Sequence, residues 1–305
     1  MNINLEDNQS YFADVLDGIK LIPNEWADIL LIDPPYNIGK DFGNCSDNLD
    51  LQEYVEWAEQ WISEGIKKLK LSGTGYVYGY SEILAHLSVR IKLPQRWLIW
   101  HYTNKNCKSN FWQRSHESII CFWNKNRIFN LDDVREPYTK VFLKNAAGKV
   151  RKGTLGRYSR TGKPTIYKAH DKGAMPRDVV KIAALAGGAG NKERFFLCKN
   201  CNNLFPVSEQ QKHNEHKIIL HQTQKPQELT VRLLKAAKPA TGGCVLVPFA
   251  GSGSELLAAK SLGMFSVGFD NNPDYVNMAN RLINDGFPCR LKNLFGLSGY
   301  SGYYC

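Results

Sequence analysis

Four consecutive residues, Asp33-Pro34-Pro35-Tyr36, follow the aliphatic run Ile29-Leu30-Leu31-Ile32. Such a run closed by a turn signal reads as a fully buried strand. A carboxylate at its carboxyl end stands where open α/β sheets place their ligands. The prolines fix the backbone so that carbonyls stay outside the ladder, and Tyr36 adds a flat amphipathic ring. Acceptors beside a stacking face suit a planar amine; an ordinary strand-to-loop turn is the competing reading.

A second grouping lies late in the chain, at Pro248-Phe249-Ala250-Gly251-Ser252-Gly253-Ser254-Glu255, with Asp270 nineteen residues beyond Gly251. Strand, glycine loop, helix, strand and acid make a mononucleotide-binding unit in which the carboxylate receives ribose hydroxyls. Leu256 holds the place of the third glycine of the dinucleotide fingerprint and no Lys follows as in a P-loop. That favours a nucleoside without a phosphate run over NAD or ATP, with a plain tight turn as the alternative.

A third grouping, Cys198-x2-Cys201-x11-His213-x2-His216 with Phe205 between, approximates the ligand spacing of a structural zinc site, although its last gap is one residue short. His221 is a substitute fourth ligand, and free thiols are the alternative. His116-Glu117 lacks a second His four residues on, so a structural role at a strand start is expected there.

The elements needed to position these groups can be read from periodicity. Tyr11 to Ile19 suggests a short helix, for which Asp7 is either a cap or a ligand-facing acid. Leu49 to Leu71 keeps a helical period, Gly73 to Gly79 is strand-like, Ser81 to Arg90 helical, and Arg96 to Tyr102 strand-like. This alternation implies a parallel sheet. A polar loop with Asn104, Lys105, Asn106, Lys108, Phe111 and Trp112 then joins Ser118 to Trp123 in an antiparallel hairpin expected at the sheet edge. The sheet pattern stops between Asn124 and Leu220 and resumes with Glu228 to Ala237, Cys244 to Val247, Ser254 to Leu262 and Phe265 to Phe269. Three regions are expected: 1–125 with the Asp-Pro-Pro-Tyr strand end, 126–220 as a basic region with the Cys/His element, and 221–305 with the glycine loop and its acid.

Charge is concentrated. The 305 residues carry a net +10, and Lys140 to Lys181 alone holds twelve Lys or Arg against Asp171 and Asp178. A basic segment interleaved with Tyr158, Tyr167, Gly and Thr suits phosphate-backbone contact, and a solvated basic loop is the plain alternative. Eight scattered cysteines fit a reducing compartment better than a disulfide framework. No apolar run approaches the roughly 18 residues of a membrane span, and a soluble, cytoplasmic protein is expected.

Together, Asp-Pro-Pro-Tyr, a basic middle, His221-Gln222-Thr223-Gln224-Lys225-Pro226 and Pro-Phe-x-Gly-Ser-Gly resemble the S-adenosylmethionine-dependent DNA amino-methyltransferases of the β order, over roughly residues 5 to 125 and 218 to 285. Val247 and Gln222 depart from the usual Asp and Pro, and the first removes a carboxylate often near the cofactor. The resemblance implies a circularly permuted, doubly wound Rossmann-like α/β fold with an inserted target-recognition region, 1–125 being its amine-binding half and 221–305 its cofactor-binding half. If Cys244–Val247 and Ile29–Ile32 are its two central strands, Gly251 and Asp33 flank one crevice. It further implies Asp33, Pro34, Pro35 and Tyr36 around the target base, with Tyr36 stacking on it. Phe249, Gly251 and Gly253 would surround S-adenosylmethionine, with Asp270 on its ribose, Thr223 and Lys225 near its methionine carboxylate and Asp7 near its adenine. The expected activity is N6 methylation of a flipped-out adenine in double-stranded DNA. Alternatives are cytosine-N4 methylation, a zinc-containing DNA-binding protein with an inactive methyltransferase half, or an RNA or protein-amine methyltransferase. A cognate restriction endonuclease is an expected partner, and the chain a monomer or homodimer.

Overall fold

The computed structural model describes residues 3–5, 7–40, 47–102, 110–156, 160–185 and 193–287. In order, the first elements are β1 (Asn8–Phe12), α1 (Val15–Lys20), β2 (Ala27–Ile32), α2 (Leu51–Lys68), β3 (Leu69–Gly79), α3 (Ser81–Ser88), β4 (Gln95–His101) and β5 (His116–Trp123). Next come α4 (Lys140–Asn145), β6 (Val150–Arg151), β7 (Thr165–Ile166), β8 (Val179–Lys181), β9 (Phe195–Cys198), β10 (Asn203–Pro206) and β11 (Ile218–Ile219). The chain closes with α5 (Gln227–Ala237), β12 (Cys244–Val247), α6 (Ser254–Ser261), β13 (Phe265–Asp270) and α7 (Pro273–Asp285).

Eight strands form one mixed sheet in the order β1-β13-β12-β2-β3-β5-β4-β8, the first five mutually parallel. β2 is buried at every position because both of its faces are covered. Ile29 and Leu31 join a cluster containing Leu229, Leu233 and Leu256 from α5 and α6, while Leu30 and Ile32 join one containing Ile19, Trp61 and Leu87 from α1, α2 and α3. The period of two thus feeds both layers from one strand. Val245 and Val247 on β12 face the first cluster and Leu246 the second.

Two expectations change. Tyr11 lies in β1, a strand paired with β13, and the helix starts only at Val15, capped by the Asp14 side chain accepting from the Leu16 N–H. Asp7 therefore caps no helix. The β4–β5 hairpin is antiparallel as expected, but β5 enters the sheet between β3 and β4, and β8 covers the outer side of β4. The helix over Leu51–Lys68 buries Tyr54, Val55, Ala58, Trp61 and Ile62 on one face and passes straight into β3, which is longer than its glycine-rich end suggests.

The contacts divide the chain into a larger unit, Met1–Phe129 with Asp178–Cys305, and a smaller one, Asn130–Arg177. The Cys/His element falls in the larger unit, because Phe195, Leu197 and Leu204 bury themselves against Leu257, Met278 and Leu282 of α6 and α7. The smaller unit holds α4 and the β6–β7 hairpin around an aromatic group, with Tyr138 stacked on Phe142 at 4.9 Å and Phe142 edge-on to Tyr167 at 5.4 Å. It carries twelve Lys or Arg against Asp132, Asp133, Glu136 and Asp171.

Candidate active site

β12 and β2 pair in parallel through Val245↔Ile29 and Leu246↔Leu30, so their carboxyl ends open side by side. Asp33 to Pro35 after β2 and Phe249 to Ser252 with Ser254 after β12 consequently line one crevice, although more than two hundred residues separate them; Gly253 is not among its lining residues. Thr223, Lys225 and Asp270 line it as well. An adjoining cavity of about 320 Å³ shares Pro35, Phe249 and Asp270 and is closed by Asp14, Tyr54 and Trp57.

Asp33 sits in a buried polar cluster. Its Oδ2 accepts from Lys225 Nζ at 2.6 Å and its Oδ1 from the Tyr36 hydroxyl at 2.9 Å. That hydroxyl lies equally close, 2.9 Å, to Glu117 Oε2, and Lys225 Nζ is 3.8 Å from the same oxygen. Two carboxylates are thus joined by one phenol and one ammonium. Burial, then the charges of Asp33 and Glu117, raise the Tyr36 pKa well above its ordinary value, so the hydroxyl keeps its proton. Burial alone would pull Lys225 down, yet the two carboxylates outweigh it and leave its pKa raised. Each carboxylate oxygen has two lone pairs, so Asp33 retains room to accept from an amine.

The glycine-loop side of the crevice is built from backbone. Asp270 Oδ2 accepts from the Gly251 N–H at 2.9 Å and Oδ1 from the Asn272 N–H at 2.8 Å, which ties the glycine loop to the end of β13. Burial still lifts the Asp270 carboxyl to about 6. Gly251 has φ of 48° and a Cβ there would meet His221 Nε2 at 2.6 Å; Gly253 has φ of 83° and faces the Ala279 backbone at 2.7 Å. Both conditions demand glycine. Phe249 is held edge-on between Trp57 at 5.8 Å and Trp61 at 5.5 Å.

The family model for DNA methylases, covering N6 and N4 methyltransferases, matches residues 27–281. The chain belongs to this family. Among curated proteins it is similar to the type II methyltransferase M.HpaI of Haemophilus parainfluenzae, 26% identical over 92% of this chain and 76% of that one. It is likewise similar to the type II methyltransferase M1.MboII of Moraxella bovis, 27% identical over 92% of this chain and 98% of that one. Among solved structures, the cytosine-N4-specific PvuII DNA methyltransferase shares the fold with a TM-score of 0.60 at 16% identity, over 96% of this chain and 92% of that one.

Within this DNA methylase several residues stand elsewhere than their motifs suggest. Lys225, expected with Thr223 near the methionine carboxylate, donates to Asp33, and Thr223 supplies a carbonyl 3.3 Å from its ammonium. Tyr36 is 8% exposed, its ring edge-on to Tyr80 at 5.2 Å and its hydroxyl engaged by carboxylates. Asp7 immediately precedes β1 and accepts from the Asn4 side chain at 3.1 Å, at the strand end opposite the cavity; Asp14, past the other end, lines it. Because β1 runs parallel to β13, only a residue after its carboxyl end can reach the crevice. His221 is half-buried, edge-on to Tyr275 at 4.9 Å within the crevice, away from the Cys/His element, and desolvation pushes its pKa down to about 3.

Two acids were missed. Glu117 reaches the site because β5 runs antiparallel beside β3, with Gly79 opposite Ser118, so the start of β5 lies at the carboxyl end of its parallel neighbours. The signal was an acid at the second position of β5, just ahead of its buried stretch from Ser118. Glu255 follows the glycine loop and is buried on the crevice wall, accepting from Ser254 Oγ at 2.8 Å. Burial and then the charge of Asp33 raise it to about 7. Val247, by contrast, is a core residue.

Proposed function

We propose that this DNA methylase transfers a methyl group from S-adenosylmethionine to the N6 amine of an adenine flipped out of duplex DNA. The observation that carries this reading is the convergence of Asp33 and the Gly251–Asp270 pair on one crevice. The residues fit such a donor. Glycine backbone allows close approach, Asp270 keeps lone pairs for ribose hydroxyls, and Glu255 offers a carboxylate to an α-ammonium. Asp14 with Trp57 and Phe249 makes a flat, partly apolar cavity of the kind a purine fills. In this reading the resemblance to a circularly permuted Rossmann-like methyltransferase holds.

S-adenosylmethionine supplies an electrophilic methyl carbon on a sulfonium. The chain must supply an amine with an available lone pair, which conjugation to a purine withholds. Asp33, accepting an amine hydrogen, favours a tetrahedral nitrogen with its lone pair directed at the methyl. As the nitrogen–carbon bond forms and the carbon–sulfur bond breaks, the amine sheds one proton. Asp33 receives it, and the Tyr36 hydroxyl, shared by both carboxylates, can pass a proton on to Glu117. Loss of either link, in Tyr36→Phe or Glu117→Gln, is expected to slow single-turnover methyl transfer roughly 10- to 100-fold, with the double variant no slower than either single one. Multiplying losses in that cycle would separate the two residues.

Glu255 makes cofactor binding pH-dependent. Its ordinary value is 4.5 and its folded value about 7, so across that window the folded chain keeps a proton that the unfolded chain has released. Its stabilising contribution therefore falls as pH rises, while its negative charge in the crevice grows. Calorimetry between about pH 6 and 8 should show S-adenosylmethionine binding tightening with pH in the native chain, and Glu255→Gln should flatten that dependence.

DNA would be held by the smaller basic unit, whose lysines and arginines release counterions from phosphates. A flipped base costs on the order of a few kcal/mol in unstacking, which such contacts offset. Phe111 and Trp112, 75% and 87% exposed just before β5, are aromatic surface beside the Glu117 strand end; Asn104, Lys105, Asn106 and Lys108 of the same loop lie outside the described residues. Similarity to type II methyltransferases supports a role in modification alongside a cognate restriction endonuclease, and no described helix is long and apolar enough to cross a membrane. Nucleoside digestion of DNA treated with the enzyme tests the reading. N6-methyladenine is expected, N4-methylcytosine alone would replace the target base, and no DNA label would reject the proposal.

A further inference from the structure

The Cys/His element takes no part in that chemistry, yet its side chains converge. Cys198 ends β9, Cys201 lies in the turn to β10, His213 ends a 3-10 helix over Val207–His213, and His216 follows one turn later with its N–H donated to the His213 carbonyl at 2.9 Å. Asn202, with φ of 48°, closes the turn in the left-handed region. The Cys201 N–H points at Cys198 Sγ, 3.4 Å away. All four ligand atoms lie within 4.8 Å of one another.

The separations carry more than proximity. Sulfur-to-nitrogen distances are 3.3 Å for Cys198–His216, 3.7 Å for Cys201–His213 and 3.4 Å for Cys201–His216, and the two Nδ1 atoms are 3.2 Å apart. A tetrahedron with metal–sulfur bonds of about 2.3 Å and metal–nitrogen bonds of about 2.05 Å has edges of about 3.6 Å between sulfur and nitrogen and about 3.3 Å between nitrogens. The four atoms therefore sit close to the corners of a zinc coordination sphere. Both histidines present Nδ1 to the same point, which neither a disulfide nor a pair of free thiols requires. Two residues between the histidines suffice because a 3-10 turn, at about three residues per turn, brings both rings to one side.

We propose that Cys198, Cys201, His213 and His216 bind one zinc ion that braces the wall of the catalytic crevice, a structural site and not a DNA-reading finger. Four protein ligands leave no position for substrate. The module's other contacts say what it braces. Phe195, Leu197 and Leu204 pack on Met278 and Leu282 of α7, and Lys199, between the cysteines, pairs with Asp274 in the first turn of α7 at 2.8 Å. Just before β9, the Glu193 carboxylate accepts from the Gln227 N–H at 3.0 Å and its carbonyl from the Gln224 side chain at 3.0 Å. The element thus touches both the helix that follows Asp270 and the segment that carries Lys225. It lacks a core large enough to hold this shape alone, which is where a metal supplies folding energy.

Metal analysis of the purified full-length chain is expected to give about one zinc per chain. Cys201→Ser and His216→Ala should lose it. Cobalt added alone to chelator-treated native chain should give the visible spectrum of a tetrahedral site with thiolate bands, a readout independent of whether the variants fold. Hydrogen exchange after chelation should quicken over residues 195–219 and 273–285 while β2 and β3 keep their protection. A folded chain that contains no zinc and takes none up, or zinc that persists undiminished in Cys201→Ser, overturns the site. Unchanged exchange over 273–285 after the metal is removed overturns the brace.

Discussion

Asp33→Asn is expected to lower single-turnover methyl transfer by roughly 10³-fold or more while leaving S-adenosylmethionine binding within a few-fold of native, because the loss falls on the amine and not on the donor. Asn keeps the shape and one acceptor, but it is neutral and places an N–H₂ against either Lys225 or the Tyr36 hydroxyl, both of which donate to Asp33 in the native chain. The proton shed by the amine then has no basic first acceptor. Lys225, 3% exposed, would also lose its 2.6 Å ion-pair partner and retain the Thr223 carbonyl at 3.3 Å and Glu117 at 3.8 Å. Breaking a buried ion pair by removing one member costs ~3–5 kcal/mol, reduced here by however far Glu117 can close the gap. A lower melting midpoint with intact cofactor binding and no turnover is the expected combination. Turnover within tenfold of native would remove Asp33 from the reaction.

The crevice was legible because its two halves are local features. An aliphatic run closed by Asp-Pro-Pro, and a glycine loop with an acid nineteen residues on, each specify a strand end, and parallel pairing places strand ends together. Other features were illegible for physical reasons. β1 is an edge strand with mixed burial, so neither its period nor its composition separates Tyr11 from the helix that follows, and Asp7 was weighed where Asp14 stands. β5 enters beside β3 through pairing that joins residues 39 to 49 apart, and only that register carries Glu117 to Tyr36. The fate of the Tyr36 hydroxyl depends on both, so the ring reads from sequence as a free stacking face. Glu255 was visible in the glycine loop, but its burial depends on how α6 packs. The Cys/His ligands were legible from spacing, whereas their attachment to α7 rests on apolar contacts that no spacing records.

Lys225→Met is expected to produce a second large loss, with a pH dependence that Asp33→Asn cannot show. The ammonium is the cation that both Asp33 and Glu117 face, and Glu255 is close enough for the charge of Asp33 to raise its pKa. Without Lys225, two carboxylates bridged by one phenol lose the ammonium that donates to Asp33 and keep only the more remote charge of Lys40, which also acts on both, and like charges so placed resist joint ionisation at neutral pH. One proton is then retained by the pair, and while it rests on Asp33 that residue accepts the amine hydrogen poorly and cannot receive the departing proton. Near pH 7 single-turnover transfer should fall roughly 10²-fold or more. As pH rises the retained proton leaves, so the variant should recover part of its rate in alkaline buffer, whereas Asp33→Asn, with no carboxylate to restore, should stay flat. The same sign governs stability: a carboxyl whose folded pKa is raised favours folding less as pH increases. Lys225→Met should therefore lose thermal stability relative to the native chain over the alkaline range in which its rate recovers. Rate–pH profiles of the two variants, measured beside their melting curves, separate a lysine that keeps Asp33 ionised from one that only fills space. A Lys225→Met profile parallel to that of the native chain would assign it the second role.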